Sequence, residues 1–307
     1  MEILTVTINP AVDKSATVDQ IVPDDKLNCR NVKYEAGGGG VNVARVIKRL
    51  GGSSTALYQC SGPAGEILHQ RLSDEGIDSL KFETINWTRE NFIVVNEHTQ
   101  KQYRFGMPGP QYSKDEVEEL YQTIIDLKEQ PDYLVLSGSM APGVDASLVK
   151  RLCQWGKSAG IKVIVDTSGE ALIAAMEVGV YLVKPNLREL CQITGKTIVA
   201  GEEQEQLALS LIENGKAEFV VVSLGPRGAM MASKEGIFYQ VPPTIKTKST
   251  VGAGDSMVAG MVWALKNGMD SKTVLNYGIA CGTAATMNTG TGLCRNEDID
   301  FVLNLLQ

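Results

Sequence analysis

Tyr34-Glu35-Ala36-Gly37-Gly38-Gly39-Gly40-Val41-Asn42-Val43-Ala44-Arg45, YEAGGGGVNVAR, sets four consecutive glycines between a strand-like run and a helical one. Glycine loses more backbone freedom on folding than any other residue, so an ordered run of four is costly. A tight strand-to-helix turn with positive φ would need only one or two of them. Four point instead to something lying close to the backbone, because N–H groups at a glycine-rich helix entrance are open donors. Asn42 adds a side-chain donor and acceptor, and that set suits a polyhydroxylated ligand as well as a phosphate.

Outward from this stretch, apolar strand-like runs alternate with amphipathic helical ones. ILTVTI (3–8), TALYQC (55–60), YLVLSG (133–138), KVIVD (162–166), YLVKPN (181–186) and FVVVSLG (219–225) read as strands. VNVARVIKRL (41–50), EILHQRLSDEG (66–76), DASLVKRLCQWGKSAG (145–160), EALIAAMEVG (170–179), EEQEQLALSLIENG (202–215) and SMVAGMVWALKNG (256–268) read as helices, with two more near the C-terminal end. Strands that do not alternate in polarity, separated by helices, predict an α/β fold with a mostly parallel central sheet covered on both faces. Residues 15–36 and 86–106 break the rhythm. They alternate, carry polar turns and predict a small antiparallel sheet, a lid or a dimer surface. Both are too short to stand alone and no linker is visible, so residues 1–307 read as a single domain with these two lid segments.

Several function classes drop out. There is no apolar run of about eighteen residues, hence no expected membrane span. The start, MEILTVTINPAVDK, lacks the basic and apolar regions of a signal peptide, so a cytoplasmic location is expected. The net charge of −7, without long runs, disfavours a nucleic-acid-binding face. Cys29, Cys60, Cys153, Cys191, Cys281 and Cys294 are far apart and read as reduced structural thiols, with neither CxxC nor zinc spacing. His69, in a helical pattern, and His98, in a hairpin turn, are the only histidines and read as surface residues. No GxxxxGK[ST] loop occurs. Three residues beyond Gly39 and Gly40 stand Asn42 and Val43, so the dinucleotide fingerprint fails and an oxidoreductase is a poor fit.

A second glycine-rich stretch, STVGAGDSMVAG (249–260), carries the chemistry. Gly252, Ala253 and Gly254 open a helix that stops at Gly268, and N–H groups at such an entrance hold anions. The helix end favours negative charge by roughly 0.3–1 kcal/mol. Asp255, in the first turn, fits an N-cap. It fits a second role as well. An acid beside an anion site opposes a bound phosphate unless it takes the proton from a hydroxyl attacking that phosphate.

Together GGGGVNVARVIKRLGG (37–52) and STVGAGDSMVAG resemble the two signature motifs of the PfkB (ribokinase-like) sugar kinase family, and the resemblance covers essentially the whole chain. The uninterrupted GGGG resembles the family's 6-phosphofructokinases, whereas fructose-1-phosphate and tagatose-6-phosphate kinases typically carry a lysine inside that run. NWTREN (86–91), QYRFGMPG (102–109), SGSMAPG (137–143), DTSGEAL (166–172) and VSLGPRGA (222–229) resemble the same members. Met140-Ala141 departs from the more usual Leu-Pro, and Gly292 stands where arginine is more frequent.

The resemblance implies a ribokinase-like fold and a role for each matching residue. Asp255 is the expected base and Gly252, Ala253 and Gly254 the anion hole for the phosphoryl group in transfer. Gly38, Gly39, Gly40 and Asn42 are expected to hold the sugar. Asp13, on the loop after the first strand, is expected to accept its hydroxyls, with a turn aspartate after Asn9-Pro10 as the alternative. Arg89, with Asn91 and Ser139, is favoured for the substrate phosphate. Arg104 is a second candidate, since arginine's planar fork suits phosphate, and Lys26 a third, for phosphate contact or regulation. KPNLRE (184–189) resembles the family's NxxE motif. Its Lys184 is expected on the nucleotide phosphates, Asn186 beside them and Glu189 on magnesium, largely through water; a helix cap with a first-turn glutamate would look the same. Ser223, Gly225 and Gly228, in a turn after a strand, and Ile279 and Thr283 are expected around ATP. Ser249, Val251, Ala285, Asn288 and Gly290 are expected around a monovalent cation, potassium.

The implied activity is magnesium-dependent transfer from ATP to the 1-hydroxyl of fructose 6-phosphate, giving fructose 1,6-bisphosphate. Tagatose-6-phosphate or fructose-1-phosphate kinase is the nearest alternative, and a silent sugar- or nucleotide-binding regulator is disfavoured by the intact Asp255, anion hole and Glu189. Exposed lid edges and the family both suggest a homodimer through the lid.

Overall fold

The computed structural model describes residues 1–197, 201–288, 290 and 292–306. Its first third contains β1 (Ile3–Thr7), β2 (Ala11–Val18), β3 (Arg30–Gly37), α1 (Gly39–Arg49), β4 (Thr55–Gln59), α2 (Gly62–Asp74), β5 (Asp78–Phe82), β6 (Arg89–Asn96) and β7 (Gln102–Phe105). Then follow α3 (Lys114–Ile125), β8 (Tyr133–Ser137), α4 (Ala146–Ser158), β9 (Lys162–Asp166), α5 (Gly169–Val178), β10 (Val180–Val183), α6 (Leu187–Thr194), α7 (Glu202–Glu213) and β11 (Ala217–Ser223). The hairpin β12 (Ala229–Ser233) and β13 (Gly236–Gln240) and the helices α8 (Ala253–Lys266), α9 (Ser271–Thr286) and α10 (Asn296–Leu306) complete it.

Among the described residues, nine strands form one sheet in the order β13-β12-β11-β10-β9-β8-β1-β4-β5. All neighbours from β11 to β5 run parallel, and β12 is antiparallel to both of its neighbours, β11 and β13. The burial of β8 shows why its sequence does not alternate. Leu134 and Leu136 pack on one face against α4 and α5 residues such as Leu148 and Leu172. Tyr133 and Val135 pack on the other, with Val43 and Ile47 of α1 and Val258 and Val262 of α8. A strand buried on both sides has no polar face to show.

The segments expected to form a small sheet do so, in the order β3-β2-β6-β7. β2–β3 and β6–β7 are antiparallel pairs, and β2 joins β6 in parallel from Ala11↔Arg89 to Val18↔Asn96. Val12 and Ala36 of this sheet share a buried cluster with Leu68 and Leu72 of α2, which anchors it beside the large sheet.

Several boundaries differ from the sequence reading. β2 starts at Ala11, so Asp13 is a strand residue, not a turn aspartate; the chain passes from Asn9-Pro10 straight into extended pairing with Gly37 and Arg89. β3 starts only at Arg30, after an exposed irregular stretch that holds Lys26. Gly62-Pro63, which reads as loop, is the first turn of α2, where proline's missing N–H costs nothing. β5, α3, α6 and the β12–β13 hairpin are further elements beyond that reading. His98 does lie in the turn between β6 and β7, but His69 is half-buried, its Nδ1 2.9 Å from the hydroxyl of buried Tyr58. All six cysteines are unpaired, and among the described residues no helix is long and apolar enough to cross a membrane.

Candidate active site

The parallel strands deliver their carboxyl ends to one side of the sheet. Asn9 follows β1 there, Ser137 ends β8, Asp166 ends β9 and Lys184 follows β10. Ligands of open α/β sheets bind outside these ends. The N-termini of α1 and α8 open at the same place, and Asn42 of α1 joins them by donating from Nδ2 to Asp255 Oδ2 at 2.8 Å.

The α8 entrance is capped by Gly252, in the left-handed region at φ 71°, so Ala253 and Gly254 start the helix and Asp255 is its third residue. The N-cap reading of Asp255 is therefore corrected: its carboxylate is turned to Asn42, not to its own backbone. Burial, and then the nearby Asp166 charge, push its pKa from 3.8 to about 6, against the opposing pull of Asn42 and Lys184. Lys184 is 8% exposed and pairs with Asp166 at 3.0 Å. Burial pulls its pKa down, but Asp166, Asp255 and Glu189 outweigh that and hold it above the ordinary value.

At the α1 entrance each glycine is explained by a protein neighbour. A methyl group on Gly37 would lie 2.5 Å from Asp13 Oδ2, and one on Gly40 would lie 2.6 Å from Thr7 Oγ1, the hydroxyl that accepts from Val41 N. On Gly39 it would strike Ser137 Oγ and the Gly138 nitrogen, the latter at 2.6 Å. Gly38 has φ 118°, where a side chain is strained. The expectation that something lies close to the backbone here is met by the protein itself, because β1, β2 and β8 approach the helix entrance. The N–H groups of Gly39 and Gly40 nonetheless have no protein acceptor among the described residues.

On the side of the small sheet, Asn91 lies opposite Asp13 in register and donates to its Oδ1 at 2.8 Å. Burial raises the Asp13 pKa, with Asn91 and Arg89 opposing. Ser139 Oγ accepts from Asn9 Nδ2 at 3.1 Å. Arg89 gives three hydrogen bonds to the carbonyls of Pro10, Met107 and Asn9 at 3.3, 3.0 and 3.1 Å. Two of its five N–H donors have no acceptor among the described residues. Arg104, on the exposed edge strand β7, folds back on Gln102 at 3.1 Å and contacts none of these groups.

On the opposite side lies a cavity of about 510 Å³. It is lined by Lys184, Ser223, Gly225, Gly228, Ala253, Gly254, Ile279 and Thr283, so eight of the expected residues converge on it. Asn186 is beside it, bridged to Ser223. The NxxE residues form a capping box for α6: Asn186 Oδ1 accepts from Glu189 N and Glu189 Oε2 from Asn186 N, both at 2.9 Å. The five expected cation residues fall into two hydrogen-bonded groups. Ser249 Oγ donates to the Gly290 carbonyl at 3.1 Å and accepts from Val251 N at 3.2 Å, while Asn288 N donates to the Ala285 carbonyl at 3.2 Å.

Sequence reasoning passed over Asp166, Asn9, Ser137 and the Pro242–Thr247 wall of the cavity. The first three could have been found from their place at strand carboxyl ends; the wall is irregular chain with no pattern to betray it.

An acid at a helix entrance, with a lysine–aspartate pair beside it and a cavity of this size in front, is the arrangement of a phosphotransferase. The pfkB family of carbohydrate kinases matches residues 6–298, and the chain belongs to that family. It is 41% identical over 299 residues to ATP-dependent 6-phosphofructokinase isozyme 2 of Escherichia coli, covering 97% of this chain and 96% of the relative. The isozyme 2 enzyme of Mycobacterium tuberculosis is 37% identical over 305 residues, 99% of this chain and 89% of the relative. The crystal structure of E. coli phosphofructokinase-2 in complex with substrates and products superposes with a TM-score of 0.94 at 40% identity, over 100% of this chain and 99% of that one.

Proposed function

We propose that this carbohydrate kinase is an ATP-dependent 6-phosphofructokinase, which phosphorylates the 1-hydroxyl of fructose 6-phosphate to give fructose 1,6-bisphosphate and ADP. The observation that carries the reading is the Asp255 carboxylate, placed between the two glycine entrances with its pKa raised to about 6. A base poised near the working pH is what general-base catalysis asks for. The names of the relatives support the substrate.

Asp255 takes the hydroxyl proton as that oxygen attacks the γ-phosphorus in line and ADP departs. The N–H groups of Gly252, Ala253 and Gly254 receive the charge on the phosphoryl group, and Lys184 holds the nucleotide phosphates. Asp13, Asn42 and the open N–H groups of the α1 entrance hold the sugar. The two free donors of Arg89, with Ser139 and Asn91, face its phosphate; Arg104 and Lys26 would reach it only by moving. The cavity takes the nucleotide. The four-stranded sheet acts as the lid of a single kinase domain.

Magnesium fits. Glu189 leaves Oε1 without a protein donor among the described residues, and one such oxygen with waters and phosphates is a magnesium donor set. The ion would supply charge neutralisation on the transferring phosphates. The oxygens of Ser249, Val251, Ala285, Asn288 and Gly290 fit potassium, a hard cation. Val32, Tyr103 and Phe105, 47%, 40% and 49% exposed on the small sheet, support a homodimer through that sheet. Six unpaired thiols and the need for ATP support a cytoplasmic enzyme.

The test is ADP release with Mg-ATP against fructose 6-phosphate, tagatose 6-phosphate, fructose 1-phosphate and fructose. Strong preference for fructose 6-phosphate is expected. A preference for another sugar phosphate overturns the substrate, and silence on all of them overturns the activity.

A further inference from the structure

One buried chain of contacts reaches Asp255 from the rim of the molecule. Arg45, on α1 nearly one turn beyond Asn42, is 3% exposed. Its Nε and Nη2 grip the Glu75 carboxylate at 2.9 and 2.7 Å. Its Nη1 donates to the Ala36 carbonyl at 2.8 Å and faces Asn42 Oδ1 at 3.4 Å. Asn42 Nδ2 in turn donates to Asp255 Oδ2 at 2.8 Å. Glu75 is the C-cap of α2, and its Oε2 also lies 3.8 Å from Arg49, one turn further along α1, which ties down the carbonyls of Gly292 and Cys294 at 2.8 and 2.9 Å.

A charge at position 45 asks for a reason. Val43, Ala44, Val46 and Ile47 around it are fully buried. A buried ion pair is commonly no more stabilising than apolar side chains of the same volume. What an apolar residue could not do is orient an amide. The oxygen and nitrogen ends of Asn42 have nearly the same shape, and turned over, the amide would set Oδ1 against the Asp255 carboxylate. A guanidinium has donors and no acceptor. Only the oxygen end can face Arg45, and Nδ2 is then left for Asp255.

We propose that Arg45, held by Glu75, is a positioning residue for phosphoryl transfer: it fixes the amide of Asn42 so that Asn42 holds the Asp255 carboxylate in one orientation. The proposal rests on the reading of Asp255 as the base.

A double-mutant cycle tests it, using the full chain with Mg-ATP and fructose 6-phosphate. Arg45→Lys keeps the charge and loses the fork. Its kcat is expected to fall by roughly 10- to 100-fold, the scale of a displaced catalytic group, while KM for ATP stays within about twofold. Asn42→Ala alone is expected to fall similarly. The double variant is expected to be no slower than Asn42→Ala, because Arg45 acts through that amide. Additive losses, or wild-type kcat in Arg45→Lys, overturn the proposal. Should Arg45→Lys not fold, Glu75→Gln, at a partly open helix end, takes its place in the same cycle: non-additivity with Asn42→Ala supports the relay, and additivity or no effect overturns it. Asp255→Asn separates the two layers. Near-wild-type turnover there removes the base and the relay with it; a collapse there alongside an additive cycle removes the relay alone.

Discussion

The two glycine-rich helix entrances look alike in sequence and are built for different reasons. At α1, Gly37, Gly39 and Gly40 are pressed against Asp13, Ser137, Gly138 and Thr7, so the glycines let strands and helix approach. At α8, a methyl group on Gly254 would find only the flexible end of Lys184, 3.6 Å away, and the space before it is the cavity. A glycine run therefore records close approach without saying to what. At α1 the close neighbour is the protein itself, and what is left for a ligand is a pair of N–H groups and one amide. At α8 Gly252, at φ 71°, is packed against Leu293, whereas the neighbour of Gly254 is the open cleft.

The sharpest way to break this contrast is at the acid between the entrances. Asp255→Asn keeps the shape and removes the base, and kcat is expected to fall by about 10²–10⁴-fold. ATP binding should persist in calorimetry; near-wild-type turnover would leave the α8 entrance as an anion site and nothing more. A pH profile comes next. A base works only when deprotonated, so kcat/KM should fall about tenfold per unit as the pH drops below the Asp255 value, placed at about 6. An acidic limb near pH 4 would mean that burial and Asp166 do not tune this group.

Gly39→Ala then probes the packed entrance. Its methyl group meets Ser137 Oγ and the Gly138 backbone, which has little room to move. Overpacking of that kind costs about 1–3 kcal/mol, and urea unfolding should register it together with weaker sugar binding. Gly254→Ala is the quiet partner. With no positive φ and only ordinary contact to Lys184, its stability should stay within about 0.5 kcal/mol of the parent. A loss of stability there as large as at Gly39 would erase the distinction; a loss of turnover without one would sharpen it, by placing the transferring group against that Cα.

Much of the site was legible because helix entrances leave local marks. STVGAGDSMVAG announces an anion site followed by an acid within a few residues, and the structure puts Gly252 at the cap and Asp255 in the first turn. KPNLRE announces a capping box, and one is there. Asp13 was legible as a residue and not as a place, since the turn signal of Asn9-Pro10 hid that β2 begins at Ala11. Arg89 and Arg104 read alike, as cations on alternating strands. Only the fold turns one towards the Asn9–Pro10 backbone and leaves the other on an exposed edge.

By itself, then, the sequence determined the class of fold and the chemistry of the two entrances. Periodicity, glycine position and helix-start residues are local, and strands buried on both faces write an unbroken apolar run. The tertiary structure alone decided which distant groups share a charge environment. Asp166 meets Lys184 across two strands, Asn42 meets Asp255 across more than two hundred residues, and Glu75 holds Arg45 from another helix. Those pairings set protonation and orientation through burial and through hydrogen bonds of under about 3 Å, distances that sequence separation does not encode.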